Sequence, residues 1–174
     1  MNVVLIGFRC SGKTTIGKLL AKKLKYEFID TDDYIEEKYE MTIREMFENK
    51  GESWFRLMET DAIEELSKLD NTVFATGGGV ILKYKNIQNL KKRGALILLQ
   101  ADPKTIYERA KKSERTLTQR PPLTTKDMYT EIKEQMESRK PYYLQAANYI
   151  INTSLKSPRE LVNEILDLLE ATGN

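Results

Sequence analysis

Histidine is absent from this chain of 174 residues, and Cys10 is its one cysteine. The first absence removes the side chain that most often moves protons near neutral pH, and with it every histidine-based triad or metal site. A general base must then be a carboxylate, or a perturbed lysine, tyrosine or cysteine. The second absence excludes an internal disulfide and a cysteine-rich zinc site, so a cytoplasmic location is the expectation. Cys10 itself reads as a small filler in preference to a redox centre. No apolar run approaches the length of a membrane span, and the first residues read as a strand, not a signal peptide; no membrane partner is expected. Charge of one sign is lacking too, with 28 basic residues interleaved with 26 acidic ones for a net +2. A nucleic-acid surface gathers Lys and Arg into a stripe, so no nucleic-acid partner is expected either. The short runs Lys91-Lys92-Arg93 and Lys111-Lys112 fall near predicted helix ends, where the helix dipole favours them on a solvated face.

What is present begins at residue 7. Gly7-Phe8-Arg9-Cys10-Ser11-Gly12-Lys13-Thr14 is a complete G-x-x-x-x-G-K-[ST] phosphate-binding loop. The apolar run Val3–Ile6 precedes it as a strand, and Ile16, Leu19, Leu20 and Leu24 follow at helical spacing. Such a loop turns its amides and a helix N-terminus toward an anion. Lys13 can reach the β- and γ-phosphates, and the Thr14 hydroxyl can meet Mg²⁺. The chain is therefore expected to bind a nucleotide phosphate.

The remaining elements alternate. Short apolar runs at Phe28–Ile29, Val73–Ala75, Ala95–Leu99 and Tyr149–Ile151 predict further strands. Thr42-Ile43-Arg44-Glu45 and Ser157-Pro158-Arg159-Glu160 are capping boxes, and Asp102-Pro103 opens another helix. Gly51-Glu52-Ser53 divides the helical stretch between Ile43 and Leu69 or bends it. The pattern predicts one α/β domain over residues 1–174, with a five-stranded parallel sheet covered by helices on both faces. Residues 113–125 are polar and proline-bearing between two helices, and read as a mobile lid.

Ligands of a parallel sheet collect at the carboxyl ends of its strands. Asp30 and Asp32 close the second strand, at the same edge as the phosphate loop. One can organise Mg²⁺ through water while the other faces a substrate hydroxyl; alternatively, Asp32 or Asp33 caps a helix beginning at Tyr34. Gly77, Gly78 and Gly79 close the third strand, where they either admit a ligand to the backbone or form a tight turn. Arg56, Arg120 and Arg139 are of the type that grips a carboxylate bidentately or steadies a transferring phosphoryl group, although each alone also suits a surface ion pair.

Taken in order, the loop, Asp30-Thr31-Asp32, Phe55-Arg56-x-x-Glu59, Gly77-Gly78-Gly79, Arg120-Pro121-Pro122-Leu123 and Arg139 resemble the shikimate kinase family over essentially the whole chain. The resemblance implies a nucleoside monophosphate kinase-like fold and transfer of the ATP γ-phosphate to the 3-hydroxyl of shikimate, with Mg²⁺ as cofactor. It implies an ATP site of Gly7, Cys10, Ser11, Gly12, Lys13, Thr14 and Thr15, with Arg109 against the adenine and Arg120 closing with the lid. Thr14 would ligate Mg²⁺ and Asp30 would support it through water. Asp32 would contact the reacting hydroxyl, Arg56 and Arg139 would hold the shikimate carboxylate, and Gly77, Gly78 and Gly79 would line that site. Lys13, Asp32 and Arg120 are thus the implied catalytic set. The acceptor region spans about residues 31–62, and a monomer is expected.

Two departures stand out. Phe8-Arg9-Cys10 occupies positions where family loops carry small or apolar residues, and Pro122 stands where leucine is common. They bear on nucleotide affinity and lid stiffness, not on the reactive groups. Rival readings are a kinase of gluconate, another small hydroxy acid or a nucleoside monophosphate, and, in a different class, a non-catalytic nucleotide-dependent switch. Guanine readers typically carry N-K-x-D, and the nearest approach, Asn49-Lys50-Gly51-Glu52, lacks the aspartate.

Overall fold

The computed structural model describes residues 1–113 and 127–172. The lid expected over residues 113–125 lies, except for Ser113, outside the described residues, and so does Arg120. Among the described residues there are five strands: β1 (Asn2–Ile6), β2 (Glu27–Asp30), β3 (Thr72–Ala75), β4 (Gly94–Gln100) and β5 (Tyr149–Asn152). They form one parallel sheet in the order β2-β3-β1-β4-β5. Each lies over the predicted apolar run and extends it by one or two residues. Among the described residues eight α-helices connect and follow them: α1 (Lys13–Leu24), α2 (Thr31–Tyr39), α3 (Ile43–Lys50), α4 (Glu52–Leu66), α5 (Tyr84–Lys91), α6 (Pro103–Lys111), α7 (Met128–Ala146) and α8 (Pro158–Thr172).

Strand periodicity sorts the core into two faces. Val4 and Ile6 point to the face covered by α4, α5 and α7, where Ile63, Leu66, Leu90 and Tyr143 meet Phe74, Leu96 and Leu98. Val3 and Leu5 point the other way, onto Ile16 and Leu20 of α1 and Leu161, Val162 and Ile165 of α8. A sheet buried on both sides reads as continuous apolar sequence, which is why β1, β3 and β4 were legible without alternation, while the edge strands β2 and β5 are only partly buried.

The start signals act as their chemistry demands. Thr42 and Glu45 exchange side-chain-to-backbone bonds in a capping box at α3. The Ser157 amide donates to Glu160 at 2.7 Å, ahead of Pro158 at the head of α8. Gly51 (φ +83°) does divide two helices, ending α3 and beginning α4. One expectation shifts. The cap of α2 is Asp30, not Asp32 or Asp33, because β2 runs into α2 without a linker and the helix begins at Thr31.

Candidate active site

The phosphate loop lies between β1 and α1 at the carboxyl edge of the sheet. Gly12 caps α1 at φ +104°, a conformation that strains any residue with a Cβ. Cys10 takes a left-handed φ of +60° despite its side chain, the kind of local cost that persists only when surroundings enforce it. Lys13 is buried, and its Nζ donates to the carbonyls of Gly7 and Phe8, both at 2.8 Å. Its ammonium thus folds back over the loop's own backbone.

A cleft of about 380 Å³ opens from this loop and is lined by residues from Cys10 to Thr15 together with Asp30, Asp32 and Arg109. Within it the Thr14 hydroxyl donates to Asp30 Oδ2 at 2.8 Å, while Asp30 Oδ1 accepts from the Asp32 amide at 3.1 Å. One aspartate therefore joins the end of the phosphate loop to the start of α2. The pairing of a hydroxyl with a carboxylate offers hard oxygen donors that suit Mg²⁺. Among the described residues no group of three or more acidic or cysteine side chains is placed to hold a metal unaided.

Arg109 of α6 donates to the Thr153 carbonyl at 2.7 Å and to its hydroxyl at 3.1 Å, with the Cys10 carbonyl at 3.4 Å. It braces the loop against the end of β5 while lining the cleft. Thr153, Lys156 and Pro158 line the same cleft; from sequence Pro158 was marked only within a helix cap, and Thr153 not at all. Thr153 is buried and also donates to the Ser11 carbonyl at 3.2 Å. Its position just after an apolar strand was the only signal available.

The second cluster is built from side chains. Arg56 on α4 donates to Glu59 Oε2 at 2.8 Å and to Glu52 at 3.2 Å. Glu59 is 1% exposed, and its Oε1 has no hydrogen-bond partner among the described residues. Burial pushes its carboxyl group up, opposed by Arg56, reinforced by the nearby Asp32 charge and opposed again by Arg139. The glycine turn closes over these groups. A Cβ on Gly77 would lie 2.6 Å from Asp32 Oδ1 and 3.2 Å from Glu59 Oε1, and one on Gly79 would collide with the Arg56 guanidinium. At both glycines a Cβ would force Asp32 or Arg56 to shift, so the turn approaches these charged side chains closely.

Arg139 stands over the Phe8 ring at 5.7 Å from its centroid. Tyr143, one turn further along α7, donates its hydroxyl to the Gly78 carbonyl. Burial pushes this phenol well above its ordinary range, against the opposing Arg139 and Arg56 charges. Glu59 and Tyr143 had no role assigned from sequence. Their spacings, three residues after Arg56 and four after Arg139, are the helical intervals at which side chains meet.

Comparison with known proteins decides the family. The shikimate kinase family model matches residues 9–170. The chain belongs to the shikimate kinase family. Among curated relatives, the shikimate kinase of Caldanaerobacter subterraneus subsp. tengcongensis is 42% identical, with 95% of this chain and 94% of that protein covered. That of Thermodesulfovibrio yellowstonii is 40% identical over 99% of this chain and 97% of its own length. A solved shikimate kinase from Acinetobacter baumannii in complex with shikimate superposes with a TM-score of 0.90 at 35% identity, covering 98% of this chain and 93% of the other. A gluconokinase from Sinorhizobium meliloti 1021 shares the fold at a TM-score of 0.63 and 20% identity. Like its family, this chain is an ATP-dependent kinase. Among the described residues no helix is long and apolar enough to cross a membrane.

Proposed function

We propose that this chain transfers the γ-phosphoryl group of ATP to the 3-hydroxyl of shikimate, yielding ADP and shikimate 3-phosphate. The observation that carries the reading is the convergence of Asp32, Glu59, Arg56 and the Gly77–Gly79 turn within reach of the phosphate loop. A small ring bearing a carboxylate and several hydroxyls matches that donor and acceptor set.

The loop amides and the N-terminus of α1 cradle the β- and γ-phosphates. Lys13 exchanges the Gly7 and Phe8 carbonyls for phosphate oxygens. Thr14 would ligate Mg²⁺ directly and Asp30 would hold it through water. When bound, the ion neutralises charge across the β- and γ-phosphate oxygens. Asp32 accepts the proton of the attacking hydroxyl as the new P–O bond forms and the bond to the ADP oxygen breaks. Arg56 and Arg139 hold the acceptor carboxylate, and Gly77, Gly78 and Gly79 let it approach the backbone. Glu59 keeps Arg56 in place by direct ion pairing. On the family resemblance, Arg109 is assigned to the adenine and Arg120 to the transferring phosphoryl group. Phosphoryl transfer asks chiefly for positioning and charge stabilisation, and no histidine is needed. Both halves of the site come from one chain, so a monomer suffices, and its setting is the cytoplasm, where ATP is supplied.

The test is a coupled ADP-release assay offering shikimate, gluconate, AMP or water as acceptor. Shikimate should raise turnover far above the other three. Dominant shikimate-independent hydrolysis, or preference for gluconate or AMP, overturns the reading.

A further inference from the structure

Phe8 and Arg9, at the middle of the phosphate loop, carry side chains that pack and pair with α6 and α7. Phe8 is 4% exposed and packs with Ala101, Ile106, Ala110 and Ile132. The Arg9 guanidinium meets Glu131 at 3.2 Å, and that carboxylate side chain is itself 5% exposed. Arg9 and Arg139 both stand over the Phe8 ring, each 5.7 Å from its centroid. A cation over an aromatic face in a desolvated setting is held more firmly than the same contact in water.

Of these partners Glu131, Ile132 and Arg139 belong to α7, while Ile106 and Ala110 lie on α6 and Ala101 just before it. Ile132, Met136, Arg139 and Tyr143 follow one another at intervals of four, three and four, which puts them on one stripe of the helix. Ile132 and Met136 pack in the Phe8 cluster, Arg139 covers the Phe8 ring, and Tyr143 holds the Gly78 carbonyl. The glycine turn in its own right backs onto the loop. A Cβ on Gly78 would lie 3.4 Å from the Arg9 amide nitrogen and 3.6 Å from the Gly7 carbonyl oxygen. One helix face thus touches the donor loop and the acceptor turn together.

We propose that Phe8 and Arg9 are positioning residues that couple the two substrate sites through α7. The inference rests on the acceptor assignment proposed above. Phosphate drawing in the loop amides shifts the Phe8 ring and the Arg9–Glu131 pair, and α7 carries that shift to Arg139 and to the Gly78 carbonyl. Nucleotide then tightens acceptor binding, and by linkage the acceptor tightens nucleotide binding by the same factor.

The experiment is calorimetric titration of shikimate with and without saturating ADP and Mg²⁺, on the full chain and on Arg9→Met, Glu131→Gln, Phe8→Leu and the Arg9→Met/Glu131→Gln double variant. In the wild type, ADP should tighten the shikimate Kd by about fivefold or more. In each folded variant that ratio should fall toward one, and the double variant should do no more than either single change. A simple loss of packing lowers Tm without moving the ratio, so Tm is measured beside it. Glu131→Gln keeps shape and volume, which protects the test if Phe8→Leu fails to fold. An unchanged ratio in folded Arg9→Met and Glu131→Gln overturns the coupling. So does a wild-type ratio of one in protein that phosphorylates shikimate. A wild type that binds no shikimate defeats the acceptor assignment, and the coupling falls with it.

Discussion

The donor and acceptor halves of the proposed site sit side by side but are made differently. The donor half is mostly backbone from one stretch of eight residues, with Lys13 folded onto the loop carbonyls and Thr14 joined to Asp30. The acceptor half is assembled from charged side chains of α2, α4 and α7 around the turn after β3, and its central carboxylate, Glu59, is almost wholly buried. Backbone cradles recognise what all nucleotides share. Specificity for one small acceptor needs side chains drawn from several elements, and those elements must be held in register by packing.

The sharpest break between the halves is Asp32→Asn. Its amide nitrogen and helix position stay, so nucleotide binding should persist, while turnover falls by about 10²- to 10⁴-fold for loss of a proton acceptor. Single-turnover kinetics beside nucleotide titration would separate the two. Turnover near the wild-type level removes Asp32 from that role.

Gly79→Ala tests the acceptor half without deleting a charge. The added methyl group occupies the space of the Arg56 guanidinium. A displacement of this size should raise the shikimate KM by about tenfold or more, while the KM for ATP holds. Equal effects on both substrates would mean that the halves are not separable at this turn.

The smallest expected effect lies beneath the donor half. Asp102 caps α6, which carries Arg109, and the Thr105 hydroxyl and amide hold its carboxyl group down at about 2 from an ordinary 3.8. Asp102→Ala should cost about 1 kcal/mol of stability at neutral pH. The sign follows from a folded value below the unfolded one: the contribution is complete above roughly pH 4 and is lost as pH falls through about 2. Chemical melts of the two proteins should therefore differ at pH 7 and converge near pH 2.

The same contrast explains what could be read from sequence. The phosphate loop, the five strands and the capping boxes are local patterns, each fixed by neighbours along the chain. Asp30, Asp32, Arg56, the three glycines and Arg139 were legible as candidates because strand ends and family order marked them. Glu59 was marked by family order but given no role, and Tyr143 and Thr153 were not marked, since their importance lies in partners such as Asp32, Gly78 and Ser11 that only the folded chain brings near. The cap of α2 moved to Asp30 for a related reason. Residue preferences cannot say whether a strand and a helix are joined by a linker or fused directly. Phe8 and Arg9 departed from their family's pattern, and the structure gives them an explicable place, packed and paired with helices whose sequence lies far away.

The braces of the phosphate loop also bear on the order in which the protein is made. Residues 7–14 leave the ribosome before the residues that brace them: Arg9 waits for Glu131, 122 positions later, and Ser11 waits for Thr153, 142 positions later. At about 5–20 residues per second, translation separates these partners by several seconds or more. During that interval the nascent loop lacks the contacts that set its shape, and nucleotide cannot guide early folding through them. A motif synthesised well ahead of its braces is thus among the last to be completed, and a chain truncated before β5 should carry the full signature without a finished cradle.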